Sequence, residues 1–211
     1  MSTGPLETDP RFWVLSEALA SYAGDANDPL FLEGVVQASV AVVLRARHPL
    51  ELLLIKRAAS DRDPWSGHMA LPGGRRDLGD PTSEETARRE TLEETEVDLA
   101  AAGTPLGRLE DVEPSSVRLP RLIVSPYVFG VPGTQEASDA SREVDKVFWV
   151  SVDTLRDPAT RSSVSIPLPG GGQDFPSFFV EGHHVWGLTY RILEQFLTVY
   201  PDGKLDAMTK G

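Results

Sequence analysis

Apolar residues fall at helical spacing near the N-terminus, crowd into short runs through the middle of the chain, and return to helical spacing at the end. In FWVLSEALASY, residues 12 to 22, Phe12, Leu15, Leu19 and Tyr22 line one side of a helix, with Asp9 before Pro10 as its cap. From residue 36 the pattern turns to strands. VQASVAVVLRA (36 to 46) and ELLLIKRA (51 to 58), separated by the turn signal RHPL, predict a hairpin. HMALPGG, 68 to 74, predicts a short strand that runs into two glycines. A polar helix follows, its start marked by Asp80-Pro81, a cap with proline at the first helical position, or alternatively by a capping box of Thr82 with Glu85. Further strands are expected over 104 to 112, 122 to 131 and 144 to 150. A brief helical turn is expected at VSVDTLRD, and a hairpin with a glycine-rich tip over 163 to 180. VWGLTYRILEQFLTVY, 185 to 200, places Trp186, Tyr190, Leu193 and Leu197 in helical register. Strands with helices interspersed predict an α/β fold, a sandwich built on a mixed sheet.

No internal repeat and no linker divides the 211 residues, so one core is expected. Residues 1–30 read as an N-terminal extension with the short helix, 31–200 as the main domain and 201–211 as a polar tail. The 18 glycines and 17 prolines exceed the usual share of roughly 12% and assign much of the chain to loops, where sites tend to be built. The longest apolar stretch, ASVAVVL, is far shorter than the roughly 20 residues of a membrane span, so no membrane association is expected. MSTGPLETDPR has no basic start followed by an apolar run, so no signal peptide is expected. The absence of cysteine removes disulfides, thiolate catalysis and cysteine-ligated zinc, and fits a cytoplasmic location.

Charge changes the picture more than composition does. A formal net charge of -12 repels polyanions, so nucleic acid is not an expected partner. An anionic small molecule would need local positive charge from arginines or a bound metal. The polar helix sharpens the point. In ARRETLEETEV, 87 to 97, Glu90, Glu93, Glu94 and Glu96 crowd the C-terminal turns, where the helix dipole disfavours each carboxylate by about 0.3–1 kcal/mol. Glu90 and Glu94, four apart, also repel one another. A divalent cation resolves the conflict: Glu90, Glu93 and Glu94 project from one side as hard oxygen ligands, which suits Mg²⁺ or Mn²⁺, and the same ion supplies the charge to hold a phosphate. Arg89 stands four residues after Glu85 and four before Glu93, placed either to orient a carboxylate or to form an ordinary surface ion pair.

These residues carry a resemblance. LPGGRRDLGDPTSEETARRETLEETEV, 71 to 97, resembles the Nudix box through Gly74, Arg89, Glu90, Glu93, Glu94 and Val97. It departs from the box at Asp80, in place of the first Glu, at Thr91 in place of an aliphatic, at Glu96 in place of a late Gly, and in a spacer one residue longer. LLIKRAASDRDPWSGHMALPGG, 53 to 74, is similar to the region before the box in the coenzyme A pyrophosphatase branch, as are EVDKVFWVSVDTL and VWGLTYRIL to its later segments, with Leu71 where that branch has Phe.

The resemblance implies a Nudix-type α/β/α sandwich and divalent-metal-dependent hydrolysis of a pyrophosphate bond in a small nucleoside diphosphate derivative, coenzyme A-like or ADP-ribose-like. It implies Glu90 and Glu94 as metal ligands, Glu93 as a third, the Gly74 carbonyl as a further oxygen, and either Glu93 or Glu143 as the base. Arg89 would orient the acids. Arg57, Arg62, Arg75 and Arg76 would bind phosphates or else balance neighbouring acids, and Trp65 would contact the ligand. Phe175 and Phe178 read as core, with stacking on a base as the alternative, and His68 and His183-His184 lack the spacing of a zinc site. A homodimer is among the assemblies allowed. The alternative is a catalytically weak Nudix-fold protein that binds nucleotides or regulates.

Overall fold

The computed structural model describes residues 9–23, 34–59, 66–114, 121–168 and 171–201. The readings on Arg62, Trp65, residues 1–8, the tail beyond 201 and the glycine-rich tip at 169 and 170 lie outside these residues.

The first helix, α1 (Pro10–Ala23), begins where the cap predicts: Asp9 Oδ1 accepts from the Arg11 N–H at 3.0 Å, with Pro10 at the first position. The strands β1 (Val36–Arg45), β2 (Glu51–Arg57), β3 (Met69–Ala70), β4 (Gly73–Arg75), β5 (Thr104–Arg108), β6 (Leu122–Val131) and β7 (Val144–Ser151) form one sheet. Its order is β3-β2-β1-β6-β5, with β4 also on β1 and β7 also on β2. It is mixed, because β1 and β6 run parallel while the other pairs are antiparallel.

The predicted β1–β2 hairpin closes only at its turn, through Leu44 opposite Leu52 and Arg45 opposite Glu51. Beyond that the strands splay, and β1 takes up β4 while β2 takes up β3 and β7. The HMALPGG segment is accordingly two strands. They part at Leu71-Pro72, where proline lacks the N–H needed to continue a ladder. The approach of β4 to β1 requires glycine: a Cβ on Gly73, whose φ is +152°, would lie 2.3 Å from the Ser39 carbonyl oxygen.

Alternation along β1 and β2 buries both faces. Val42, Leu44, Leu52 and Leu54 point to one core with Phe12, Leu15 and Leu19 of α1. Ala41, Val43 and Leu53 point to the other, with Ala87 of α2 (Ser83–Thr95) and with Val97 and Leu99 after it. Burial on both sides is why these strands read as continuous apolar runs. The α/β/α sandwich with a mixed sheet is the observed architecture.

After α3 (Val152–Arg156) and a 3₁₀ turn (Pro158–Thr160) comes a second, antiparallel sheet of β8 (Arg161–Leu168), β9 (Gly171–Val180) and β10 (His183–Trp186), which the sequence pattern did not separate. The helix expected over 185 to 200 begins later, as α4 (Gly187–Val199), because His183 to Trp186 pair with Val180 to Ser177 of β9. Gly187, at φ +68°, turns the chain from strand to helix. Phe178, Val180 and Val185 join α4 in the larger core.

Candidate active site

Helix α2 carries the acidic cluster, and its start is capped at Thr82 and not at Asp80. Thr82 is the N-cap, and its Oγ1 accepts from the Glu85 N–H at 3.1 Å. Asp80 serves a different purpose: its carboxylate takes both arms of the Arg89 guanidinium, at 3.0 Å each, together with the Thr86 hydroxyl at 2.9 Å and the Asp77 N–H at 3.0 Å. The bidentate bond from Arg89 pulls the Asp80 pKa down to about 2 and raises that of Arg89. Arg89 also donates to the Arg75 carbonyl at 3.2 Å, to Glu90 Oε1 at 2.9 Å and to Glu93 Oε2 at 3.4 Å. It thus clamps the 75–80 loop onto the helix and fixes the Glu90 carboxylate. Glu85, expected beside Arg89, pairs instead with Arg88 at 3.5 Å.

Glu90 and Glu94 lie one turn apart against the Gly73-Gly74 corner. Glu94 is only 4% exposed, and its Oε2 accepts the Gly73 N–H at 2.9 Å. Glu90 fills the space over Gly74, where a Cβ would meet its carboxylate atoms at 2.4 to 2.5 Å. The second glycine of the loop is therefore what leaves room for the Glu90 carboxylate. Arg57, at the end of β2, comes within 3.9 Å of Glu94. Glu143, at the start of β7, is exposed; its carbonyl accepts the Ala58 N–H at 2.8 Å, which holds it beside the end of β2.

The electrostatics follow from this crowding. Burial raises the Glu94 pKa to about 7. The Gly73 N–H and Arg57 oppose the rise, and Glu90 and Glu143 add to it. Burial also raises Glu90, against the Arg89 charge and hydrogen bond, with Glu93 and Glu143 adding smaller repulsions.

The fold therefore brings Glu90, Glu94, Gly74, Arg57 and Glu143 together. Glu93 does not join the pair: it sits at the rim, 58% exposed and turned to Arg89. Among the described residues, no three acidic or histidine side chains are gathered into one ready ligand set. Arg76 spends its guanidinium on the Pro81 carbonyl at 3.1 Å and Ser83 Oγ at 3.2 Å, tying down the loop. The Arg75 side chain is exposed. His184 Nδ1 lies 2.9 Å from Ser177 Oγ, and Phe178 is fully buried, whereas Phe175 is half-buried beside Trp186. A cavity of about 270 Å³ lies at the other end of α2, lined by Thr82, Glu84 and residues of β5 and β6, and includes none of the acid pair.

At the C-terminal end of α2, Glu96 adopts φ 58°, the left-handed conformation that explains the expected glycine. Its N–H donates to the Leu92 carbonyl, and its carboxylate accepts the Ser138 hydroxyl, while the Ser138 N–H donates to the Thr95 carbonyl at 3.0 Å. These bonds offset a conformational cost on the order of 1–2 kcal/mol, so the departure at Glu96 leaves the helix end intact.

The NUDIX domain profile matches residues 35–167. An uncharacterized protein of Schizosaccharomyces pombe is 36% identical over 118 residues, 54% of this chain and 36% of its own. The chain thus spans about a third of that relative's length. An uncharacterized Nudix hydrolase, NudL, of Photorhabdus laumondii is 28% identical over 144 residues, 68% of this chain and 74% of its own. The crystal structure of a MutT/nudix family protein from Enterococcus faecalis superposes with a TM-score of 0.50 at 16% identity, covering 95% of this chain and 73% of that one, a likeness of fold.

Proposed function

We propose that this chain, which belongs to the NUDIX domain family, hydrolyses the pyrophosphate bond of a nucleoside diphosphate derivative, coenzyme A-like or ADP-ribose-like, with Mg²⁺ or Mn²⁺ as cofactor. The observation that carries the proposal is the pairing of Glu90 and Glu94 against the Gly73-Gly74 backbone with Arg57 alongside. That donor set suits a hard cation. Two half- to fully buried carboxylates, each pushed toward protonation by burial and by neighbouring acids, gather negative charge that a divalent ion neutralises.

Glu90, Glu94 and the Gly74 carbonyl would hold the ion, with Glu93 able to swing in from the rim. When bound, the ion would polarise the phosphoryl oxygens and lower the pKa of the attacking water. The remaining roles belong to the chain. Arg57 faces the phosphates and offsets their charge where the protein is otherwise acidic. Glu143 takes the water's proton: it is exposed to solvent and close enough to perturb both Glu90 and Glu94, whereas Glu93, the other candidate, is bonded to Arg89. Arg89 positions Glu90. Arg75 reaches the phosphates from the exposed loop, and Arg76 acts through the loop it anchors. Arg62 and Trp65 keep their phosphate-binding and ligand-contact roles on sequence grounds.

The test is incubation with Mg²⁺ or Mn²⁺ and a panel of coenzyme A, ADP-ribose, NADH, diadenosine polyphosphates and dNTPs, with product identification. Cleavage of at least one diphosphate is expected, with turnover at least tenfold lower in Glu94→Gln. If no compound is cleaved, the nucleotide-binding alternative replaces this reading. Wild-type turnover in Glu94→Gln would remove the acid pair from the chemistry.

A further inference from the structure

The small second sheet meets the acid site at one residue. The register of β2 with β3, Ile55 opposite Ala70 and Lys56 opposite Met69, is continued by the Arg57 N–H donating to the His68 carbonyl at 2.9 Å. Residues opposite one another in an antiparallel pair share a face. Met69 belongs to the larger core, so His68 lies on the other face, the one on which Arg57 approaches Glu94. The Trp186 ring stands 4.9 Å from the His68 ring, edge to face, and the Phe175 ring 5.3 Å from Trp186. Along β9 and β10, Phe178, Val180 and Val185 turn into the core, which leaves Phe175 and Trp186 on the opposite face. All three rings are half-buried.

We propose that His68, Trp186 and Phe175 form the shelf on which the planar base of the nucleoside diphosphate stacks. The inference rests on the hydrolase reading above for its substrate class and deepens it. An aromatic surface that begins beside a phosphate-facing arginine has the layout a nucleotide needs: cation for the anionic end, ring faces for the base. Ring faces select for a planar base without dictating which one, because every base has a π-face. Phe175 and Trp186 lie beyond residue 167, where the family match ends. The shelf governs which substrate is held and leaves the bond-breaking groups untouched.

The test is titration calorimetry of the full chain in magnesium with two probes, AMP and ribose 5-phosphate, which differ by the base. Wild type is expected to bind AMP more tightly than ribose 5-phosphate. Trp186→Ala should weaken AMP by roughly five- to hundredfold, the range of one base–aromatic stack, and leave ribose 5-phosphate within twofold. Trp186→Tyr should restore most of the AMP affinity. Phe175→Leu, at a half-buried ring, gives the same comparison if Trp186→Ala does not fold. The shelf is overturned if wild type does not distinguish the two probes, if the substitutions leave AMP within twofold, or if both probes weaken equally. Because binding needs no turnover, the two proposals fail separately. A base-dependent loss in a protein that cleaves no diphosphate sinks the hydrolase alone, and cleavage with AMP binding indifferent to the shelf sinks the shelf alone.

Discussion

Replacing Glu94 by Gln should stabilise the metal-free protein at pH 8 and cease to do so near pH 5. Glu94 is buried, and burial lifts its pKa from 4.5 to about 7. A carboxyl with a raised folded-state pKa binds its proton more tightly folded than unfolded, so its contribution is fully present below about 4.5 and is lost as the pH climbs through 7. At roughly 1.4 kcal/mol per pH unit across that interval, ionising the buried group costs the native state about 3 kcal/mol. Between pH 5 and 8 the cost is about 2–3 kcal/mol. Gln is neutral throughout and keeps an oxygen to accept the Gly73 N–H, so it avoids that cost and gives up only the attraction of Arg57 at 3.9 Å. Urea unfolding of both proteins in chelator at pH 5, 6, 7 and 8 reads the difference directly. Groups that titrate alike in the two chains cancel, so the gap should open in favour of the Gln variant as the pH rises. A gap that stays constant across the series, or that opens in favour of wild type, refutes the claim that Glu94 is an ionisation held under strain.

The same charge should be relieved by its counter-ion. Mg²⁺ or Mn²⁺ at a hundred times its Kd should raise wild-type stability at pH 8 by about 2.7 kcal/mol, with little effect on Glu90→Gln or Glu94→Gln in the same urea assay. The two glycines should separate stability from activity. Gly74→Ala pushes only the movable end of Glu90 and should cost about 1 kcal/mol while abolishing most turnover, whereas Gly73→Ala meets the β1 backbone at 2.3 Å at a φ of +152° and should lower the melting temperature severely. Glu143→Gln should lower kcat by about 10²- to 10⁴-fold, with Glu93→Gln within about tenfold of wild type. The reverse order would assign the base to Glu93.

What was legible in the sequence was what local rules govern. The continuous apolar runs of β1, β2 and β6 announce strands, and the Arg-Glu-x-x-Glu-Glu spacing announces three neighbouring carboxylates, of which the fold sets Glu90 and Glu94 against the Gly73-Gly74 corner and leaves Glu93 at the rim. The helix expected over 185 to 200 starts late because Val185-Trp186 fits either period, and only pairing with β9 assigns it to a strand. Asp80 passed for a cap because Asp-Pro is a generic helix start, whereas its partner, Arg89, is chosen by tertiary geometry. Arg57 and Arg76 are alike in sequence and differ only in what the fold sets before them, Glu94 in one case and Pro81 with Ser83 in the other. His68, Phe175 and Trp186 carry no joint signal, because more than a hundred residues and two sheets separate His68 from the other two.

Helix α2 shows how such a site is kept in place. Its buried positions are Ser83, Thr86, Ala87, Thr91, Glu94 and Thr95, so it presents almost no apolar stripe to the sheet. Thr91, where the family box has an aliphatic, donates its hydroxyl to the Ala87 carbonyl at 2.7 Å, and Thr95 donates to Thr91 at 2.6 Å. Each is buried without an unpaired polar group, yet neither contributes the transfer free energy of a larger apolar side chain. The helix is held by its ends and flanks: the Thr82 cap, the Arg88–Glu84 pair, the Arg89–Asp80 clamp and the Glu96–Ser138 link. A helix selected for stability would place leucines under the sheet and basic residues at its C-terminus. This one does the opposite on both counts, and it is these tethers that hold the half-buried Glu90 beside the buried Glu94.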